Sequence, residues 1–189
     1  MSRCRLIFSG SGGQGVITAS IIIAEAAVIH EGLNAIQVQA YGPEARGGAT
    51  RADVIIDKEE INFPKVNQPN VVISLTQEAY DKFSWIIRPG GLLLIDSRYV
   101  KTQRKVDARQ VSLAMYDAVM EEIGKPIVLN ICMLGALIGL TRLVKPESIM
   151  KVLATRIPRE FLEMNRKALD IGLGLTESSQ YVLPSADIS

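Results

Sequence analysis

Residues 9–15 read Ser-Gly-Ser-Gly-Gly-Gln-Gly, with an apolar run before them and a long apolar helix pattern after them. The order of strand, glycine turn and helix opens a dinucleotide-binding unit, and Gly10, Gly12 and Gly15 match its pattern G-x-G-x-x-G. Such a turn requires backbone angles that are closed to residues with a Cβ atom. The free N–H groups and the dipole of the following helix favour an anion. The stretch therefore predicts an α/β fold with a candidate phosphate or contact site at Gly10, Gly12, Gly13, Gln14 and Gly15.

The second predicted strand, 34–41, argues against ordinary NAD binding. In a dinucleotide-binding fold an Asp or Glu near the end of this strand holds the ribose hydroxyls. The strand contains no carboxylate, and Gln39 stands near its end. Two alternatives stay open: the turn binds another phosphate, or it is a tight backbone crossing that contacts another chain.

The composition excludes several classes of protein. The chain has 189 residues, a formal net charge of +1, two cysteines and one histidine. The near-neutral charge gives no general attraction to nucleic acid or to a membrane surface. Cys4, Cys132 and His30 cannot supply an iron–sulfur cluster or a zinc site within the chain. The absence of a disulfide framework, a cleavable signal and a long uncharged apolar span predicts a cytoplasmic protein.

Strand and helix patterns alternate along the chain. The expected fold is a Rossmann-like layered α/β sheet, mostly parallel, with a β-hairpin excursion and a helical C-terminal part. The domain covers residues 1–176, and a loose polar tail covers 177–189. The predicted strands are 4–9, 34–41, 50–57, 71–75 and 92–95; the predicted helices are 15–30, 78–87, 113–123, 130–143, one from Pro146 and 159–173. The hairpin is expected to join strand 50–57 to residues 61–63, and 96–110 are expected to be irregular.

Two of these helices are apolar nearly all round. The stretches 16–29 and 130–143 contain few polar side chains, a pattern typical of a helix buried on all sides. In the second helix Gly135 and Gly139 stand four residues apart, which permits close approach of another backbone on one face. Either both helices lie at the centre of the domain, or one of them completes its burial against a partner subunit.

A second glycine-rich loop follows the second strand. Residues 41–51 read Tyr-Gly-Pro-Glu-Ala-Arg-Gly-Gly-Ala-Thr-Arg. Ligands of open α/β sheets bind beyond the carboxyl ends of strands, so this loop and the glycine turn should share one edge. The guanidinium of an arginine suits a carboxylate or a phosphate. The loop adds these candidate residues: Tyr41, Gly42, Pro43, Glu44, Arg46, Gly47, Gly48 and Arg51.

The paired loops resemble those of the gamma subunit of the 2-oxoacid:ferredoxin oxidoreductases. Residues 74–80, reading Ser-Leu-Thr-Gln-Glu-Ala-Tyr, Asn130 with 134–136, and Asn165 with 168–169 match the same family, so the resemblance covers about residues 3–175. Within this family, the sequence of the loop at 41–48 is most similar to that of the 2-oxoglutarate type.

The resemblance implies a reaction that other chains carry. Enzymes of this family decarboxylate a 2-oxoacid on thiamine diphosphate with Mg, pass electrons through [4Fe–4S] clusters to ferredoxin, and transfer the acyl group to coenzyme A. The expected partners are the alpha and beta subunits and a delta subunit where one exists. This chain would supply no catalytic residue, bind no metal or cofactor when isolated, and support assembly and the coenzyme A region. The alternatives are a nucleotide-dependent dehydrogenase and a coenzyme A- or nucleotide-binding module.

A basic stretch also has two interpretations. It contains Arg98, Lys101, Arg104, Lys105 and Arg109. It is either a solvated loop face or a docking surface for an acidic chain or for the phosphates of coenzyme A.

Overall fold

A computed structural model of the protein describes residues 3–39, 49–102 and 105–177. The strands are β1 Cys4–Ser11, β2 Asn34–Gln39, β3 Ala49–Asp57, β4 Val71–Ser74, β5 Gly91–Asp96 and β6 Ala108–Leu113. The helices are α1 Val16–Glu25, α2 Gln77–Phe83, α3 Met115–Glu122, α4 Leu129–Thr141, α5 Pro146–Arg156 and α6 Leu162–Glu177. A π-helical turn, Ala26–His30, continues α1, and short 3-10 turns occupy Ser84–Ile86, Pro126–Val128 and Arg159–Phe161.

The six strands form one sheet in the order β2-β3-β1-β4-β5-β6. Strands β1, β4, β5 and β6 pair in parallel, whereas β3 is antiparallel to both of its neighbours, β1 and β2. Five strands therefore point in one direction and β3 runs against them. The α/β fold and the mostly parallel sheet are confirmed.

The expected hairpin from 50–57 into 61–63 is wrong. Both edges of β3 are already hydrogen-bonded, one to β1 and the other to β2, so no edge is left for a third strand. Residues 61–63 are irregular, and Ile61 is buried in the core. Ile61, whose apolar side chain suggested a strand, packs into the core from an irregular segment.

The prediction of an irregular stretch over 96–110 is also wrong at its end, because β6 begins at Ala108 and pairs with β5. This strand lies at the edge of the sheet and carries Arg109 and Gln110, so it lacks the continuous apolar run of the inner strands. Leu113 belongs to β6, and α3 consequently begins two residues later than predicted.

Helices cover the two faces of the sheet unequally. One hydrophobic cluster joins residues of α1, α3, α4, α5 and α6 to one face, while α2 and irregular segments pack on the other. Every residue of α4 except Gly139 is buried within this chain. A Cβ atom added to Gly135 would lie 2.1 Å from the carbonyl oxygen of Leu169, so α4 and α6 touch through their backbones. The chain itself therefore places α4 at the centre of the domain.

Candidate functional site

The glycine turn after β1 uses its glycines for two different reasons. Gly13 has a φ of 88° and Gly15 a φ of 71°, both in the left-handed region that glycine adopts without strain. Gly10 lies within β1, where an added Cβ would stand 2.5 Å from the Oε1 atom of Gln14. Gly12 has neither constraint: it is exposed, and an added Cβ would meet nothing within 4 Å.

The Gln14 side chain ties the turn to two strands. Its Oε1 atom accepts a hydrogen bond of 2.8 Å from the backbone N–H of Ser11, and its Nε2 atom donates one of 3.5 Å to the carbonyl of Leu75, just past β4. Strands β1 and β4 are parallel neighbours, and the helices that follow them, α1 and α2, pack on opposite faces of the sheet. Gln14 therefore lies across the switch point where open α/β sheets bind ligands.

Asn130, at the start of α4, contacts the last residue of the glycine turn. Its Nδ2 atom donates a hydrogen bond of 3.4 Å to the carbonyl of Gly15, and the same carbonyl accepts 2.9 Å from the N–H of Ala19 in α1. A Cβ at Gly15 would stand 2.6 Å from that Nδ2 atom. Gly15 is thus required both by its φ and by the closeness of Asn130.

The first turn of α1 is open to a ligand. No side chain caps this helix at Gly15, and no acidic residue lies in its first turn. The first N–H groups of a helix have no partner inside it, and the helix dipole adds a partial positive charge there. The exposed Gly12 and Gly13 stand directly before this turn. The end of α1 can therefore accept an anion or a carbonyl oxygen.

An apolar cavity of about 530 Å³ adjoins the turn. Its walls come from α1, the 3-10 turn before α4, the end of α5 and the start of α6. Gly13, Gly15, Thr18, Ile22, Lys125, Ile127, Val128, Asn130, Ile131, Leu153, Ile157, Pro158, Phe161, Met164 and Asn165 line it. Ile127 is 77% exposed and Phe161 42% exposed at its rim. The cavity therefore places a large apolar surface beside the polar turn.

The cavity has no signature in the sequence. Lys125, Ile127 and Phe161 come from segments more than a hundred residues after the turn, and no local pattern links them to it. In the sequence, Asn130 and Asn165 stand out only as parts of the family resemblance. For Asn130 a second signal is its place at the start of an apolar helix, where a polar side chain needs a partner. Asn165 lies in an amphipathic helix, which gives no such signal.

Most of the second loop lies outside the described residues, namely Tyr41, Gly42, Pro43, Glu44, Arg46, Gly47 and Gly48. Its described flanks lie at the carboxyl edge of β1, because Ala49 pairs with Ser11 and Gln39 pairs with Ala52 of β3. The shared location of the loop and the glycine turn stays a prediction.

Arg51 has a structural role in β3. Its guanidinium donates to both carboxylate oxygens of Asp53, at 2.6 and 2.8 Å, and to the carbonyl of Val66 at 3.1 Å. It also lies over the ring of Phe83, 5.4 Å from the centroid. Phe83 and Val66 belong to the face opposite the apolar cavity. The backbone of Arg51 thus lies beside the start of the glycine turn, paired with Ser9, but its side chain is engaged on the opposite face of the sheet.

A buried carboxylate ends β5 at the same edge of the sheet. Asp96 accepts hydrogen bonds from the backbone N–H groups of Arg98, at 2.9 Å, and Tyr116, at 2.8 Å. Burial raises the pKa of this carboxyl group above its ordinary value. Asp96 thereby fixes the start of α3 and has no access to solvent.

Two residues of the basic stretch, Arg98 and Arg109, lie at opposite ends of the paired strands β5 and β6. Arg98 pairs with Asp117 at 2.5 Å and lies over the ring of Tyr116, whereas Arg109 belongs to the edge strand β6. Arg104 lies outside the described residues. The local partners of Arg98 fit the interpretation as a solvated face.

The insertion of β3 changes the nucleotide-binding geometry. In the dinucleotide-binding fold the second strand lies beside the first, and its terminal carboxylate reaches the ribose. Here β3 separates β1 from β2, so Gln39 lies two strand spacings, about 9–10 Å, from β1. The topology and the residue type both disfavour a dinucleotide at this turn.

Reactive thiols and metal ligands are likewise missing from the described part of the chain. Burial raises the pKa of Cys4 and of Cys132 to about 12, so neither thiol forms a thiolate near neutral pH. Among residues 3–39, 49–102 and 105–177, no group of three His, Cys, Asp or Glu side chains could hold a metal ion. No helix in these ranges is long and apolar enough to cross a membrane.

Comparison with known proteins gives consistent matches. A family model described as pyruvate ferredoxin/flavodoxin oxidoreductase matches residues 5–175. The 2-oxoglutarate synthase subunit KorC of Methanocaldococcus jannaschii is 42% identical over 90% of this chain and 92% of its own length. The common gamma subunit of the pyruvate/ketoisovalerate oxidoreductases of Thermococcus litoralis is 31% identical over 85% and 90%, respectively.

Two solved structures share the fold. The gamma subunit of a keto/oxoacid ferredoxin oxidoreductase from Geobacter sulfurreducens has a TM-score of 0.82 and 40% identity, covering 90% of this chain and 96% of that one. A chain of the 2-oxoglutarate:ferredoxin oxidoreductase from Magnetococcus marinus has a TM-score of 0.83 and 21% identity. The match covers 97% of this chain but 33% of the longer chain, where the same fold forms one part.

Proposed function

The chain belongs to the pyruvate ferredoxin/flavodoxin oxidoreductase family, and from this membership we propose that it is the gamma subunit of a 2-oxoglutarate:ferredoxin oxidoreductase. The observation that carries the proposal is its 42% identity to a 2-oxoglutarate synthase subunit over nearly the whole of both chains. The complex oxidatively decarboxylates a 2-oxoacid to an acyl-CoA.

The cofactors of electron transfer and decarboxylation belong to partner chains in this proposal. The chain has two cysteines, and both are buried with raised pKa values, so its residues do not fit a [4Fe–4S] cluster. Among the described residues, no cluster of three or more His, Cys, Asp or Glu side chains could hold a metal ion. Thiamine diphosphate, Mg and the clusters are therefore assigned to the alpha, beta and delta subunits, which also contact ferredoxin.

The edge at the glycine turn is proposed to serve assembly and the coenzyme A region. The uncapped start of α1, with the exposed Gly12 and Gly13, suits a phosphate or a partner's backbone carbonyl. The neighbouring cavity suits an apolar chain, with Lys125 and Asn165 as polar groups along it. Coenzyme A would supply the thiol that accepts the acyl group. We include residues 41–48, with Arg46, in the same proposed role on the evidence of the sequence alone.

Gentle purification from native cells tests the function. We expect the chain to co-elute with larger subunits, and the complex to reduce viologen when 2-oxoglutarate and coenzyme A are added. The isolated chain should be colourless and inactive with any 2-oxoacid. Elution of the native chain alone, or iron–sulfur absorption stoichiometric with it, would contradict the proposal.

The role of the turn can be tested at Gly12, because its space is open. Gly12→Glu adds a negative charge at the surface and should shift the free energy of unfolding by no more than about 0.5 kcal/mol. An anion at this end of α1 should then bind about tenfold more weakly, which raises the KM for coenzyme A. Gly174→Glu is the matched control, since Gly174 also has open space around it. Unchanged KM, kcat and assembly in Gly12→Glu would exclude the turn as a contact site.

A further inference from the structure

The face of the sheet opposite the apolar cavity carries an irregular segment at residues 61–68, called here the crossing segment. Ile61 and Val66 point into the core, while the side chains between them are exposed. Phe63 is 62% exposed, and Trp85, in the 3-10 turn after α2, is 74% exposed. Two large aromatic side chains thus lie in solvent on one face.

A basic depression lies on one side of the crossing segment. Its volume is about 860 Å³, and Arg5, Lys65 and Arg88 line it together with Phe63. No Asp or Glu is among the described residues that line it. Arg5 and Lys65 form no ion pair with any described carboxylate. The depression therefore presents concentrated positive charge beside an aromatic ring.

A second depression, of about 460 Å³, lies on the other side of the segment. Val38, Trp85 and Ile86 provide its apolar wall, and Lys65 lines both depressions. The Arg51–Asp53 ion pair lies in the second depression, so its two charges neutralise one another. Lys65 thus joins the two depressions into one surface, with Phe63 in the first depression and Trp85 in the second.

This surface is held in place before any partner arrives. Arg51 donates to the carbonyl of Val66 in the crossing segment and is itself held by Asp53 and the ring of Phe83. The backbone N–H of Asn70, just after the segment, donates 2.8 Å to the carbonyl of Arg5. Binding of a partner would therefore cost little free energy for ordering this surface.

We propose that this surface, which we call the basic aromatic face, binds an acidic segment of a larger subunit of the same complex, an inference that rests on the proposed function. Exposed Trp and Arg side chains supply a large share of binding energy at protein interfaces. Carboxylates of the partner would contact Lys65 and Arg5, and apolar side chains would cover Trp85 and Phe63. The complementary charge selects an acidic partner and excludes a basic one.

Two variants of the whole chain test the proposal in a binding assay with the remaining purified subunits. Trp85→Ala removes an aromatic anchor, and Lys65→Glu reverses the central charge; each should weaken association at least about tenfold. Met120→Ala and Lys151→Glu are matched controls on exposed residues of the other face, and they should bind as the wild type does. Higher salt should weaken the wild type more than Lys65→Glu.

Carbodiimide cross-linking identifies the partner chemistry directly, because it joins an amine to a nearby carboxylate. In the assembled complex Lys65 should be linked to an Asp or Glu of another subunit, and Lys65→Arg should lose the link while it keeps the association. Wild-type assembly with no Lys65 link, and with Trp85→Ala and Lys65→Glu bound normally, would overturn this inference alone. A link to a second copy of this chain would overturn it in favour of self-association. Failure of the wild-type chain to join any oxidoreductase subunit would instead refute the proposed function.

Discussion

Five helices cover one face of the sheet, whereas α2 and the crossing segment cover the other. On the first face α4 and α6 approach until their backbones touch at Gly135 and Gly172. On the second face Trp85 and Phe63 remain largely in solvent. Where α4 meets α6, the first face therefore uses its residues for packing within the chain, whereas the second face keeps Trp85 and Phe63 available for a partner.

This difference teaches where a substitution should act. A side chain added between α4 and α6 has no space to enter, so its effect is on folding. Removal of an exposed side chain from the basic aromatic face, such as that of Trp85, leaves no core cavity, so its effect is on association. The four predictions that follow test this division.

Gly172→Ala should have the largest effect. An added Cβ would lie 1.9 Å from the carbonyl oxygen of Cys132, a backbone atom that cannot move without shifting α4. We expect the free energy of unfolding to fall by about 3 kcal/mol, which corresponds to a fall in Tm of roughly 6–12 °C. Gly174→Ala on the same helix meets nothing within 4 Å and should be neutral or slightly stabilising. Equal melting temperatures for both variants would show that the α4–α6 contact is not tight.

Gly15→Ala should have the second-largest effect. We expect the free energy of unfolding to fall by about 2 kcal/mol, because alanine is strained at this left-handed φ and its Cβ would contact Asn130. Gly12→Ala is the control within the same turn, because its space is open. Denaturant unfolding of both variants measures the difference. A Gly15→Ala variant as stable as Gly12→Ala would mean that Asn130 does not support the turn.

Arg51→Ala tests the second face by loosening the crossing segment. The variant loses the ion pair to Asp53 and the hydrogen bond to Val66, and we expect a cost of about 1–1.5 kcal/mol. Hydrogen exchange should rise in residues 61–68 while α4 stays protected. Arg98→Ala, which breaks a half-exposed pair with Asp117, should leave that segment unchanged. Uniform loss of protection across both faces would contradict a local role.

The smallest effect is expected at Glu25, whose carboxylate receives a hydrogen bond from the Nε atom of Arg156 at 2.6 Å. This bond lowers the pKa of Glu25 below its ordinary value of 4.5. The pair therefore stabilises the fold above that pH, and its contribution is lost as the pH falls through the lowered pKa. Because both side chains are partly exposed, Glu25→Gln should cost about 0.5 kcal/mol or less near neutral pH, and this difference should shrink as the pH falls below 4.5. Urea unfolding of both proteins across this range measures the change, and a difference that grows in acid would contradict it.

Much of the local structure followed from the sequence. The glycine turn, the apolar helix at α4 and the start of α5 at Pro146 were predicted, and the structure contains each of them. The membership of the family was also identified from motifs, and the comparisons confirm it. These features depend on backbone angles and side-chain periodicity over a few residues, which a sequence displays directly.

Only the tertiary structure decided the order of the strands and the composition of the sites. The position of β3 between β1 and β2, the edge strand β6 and the path of the crossing segment depend on which strand edges are free to form hydrogen bonds. Every non-proline residue offers the same backbone donor and acceptor, so the pattern within one strand does not say which strand will lie beside it. For the same reason the apolar cavity, with walls from four distant segments, and the basic aromatic face become visible only once the chain is folded.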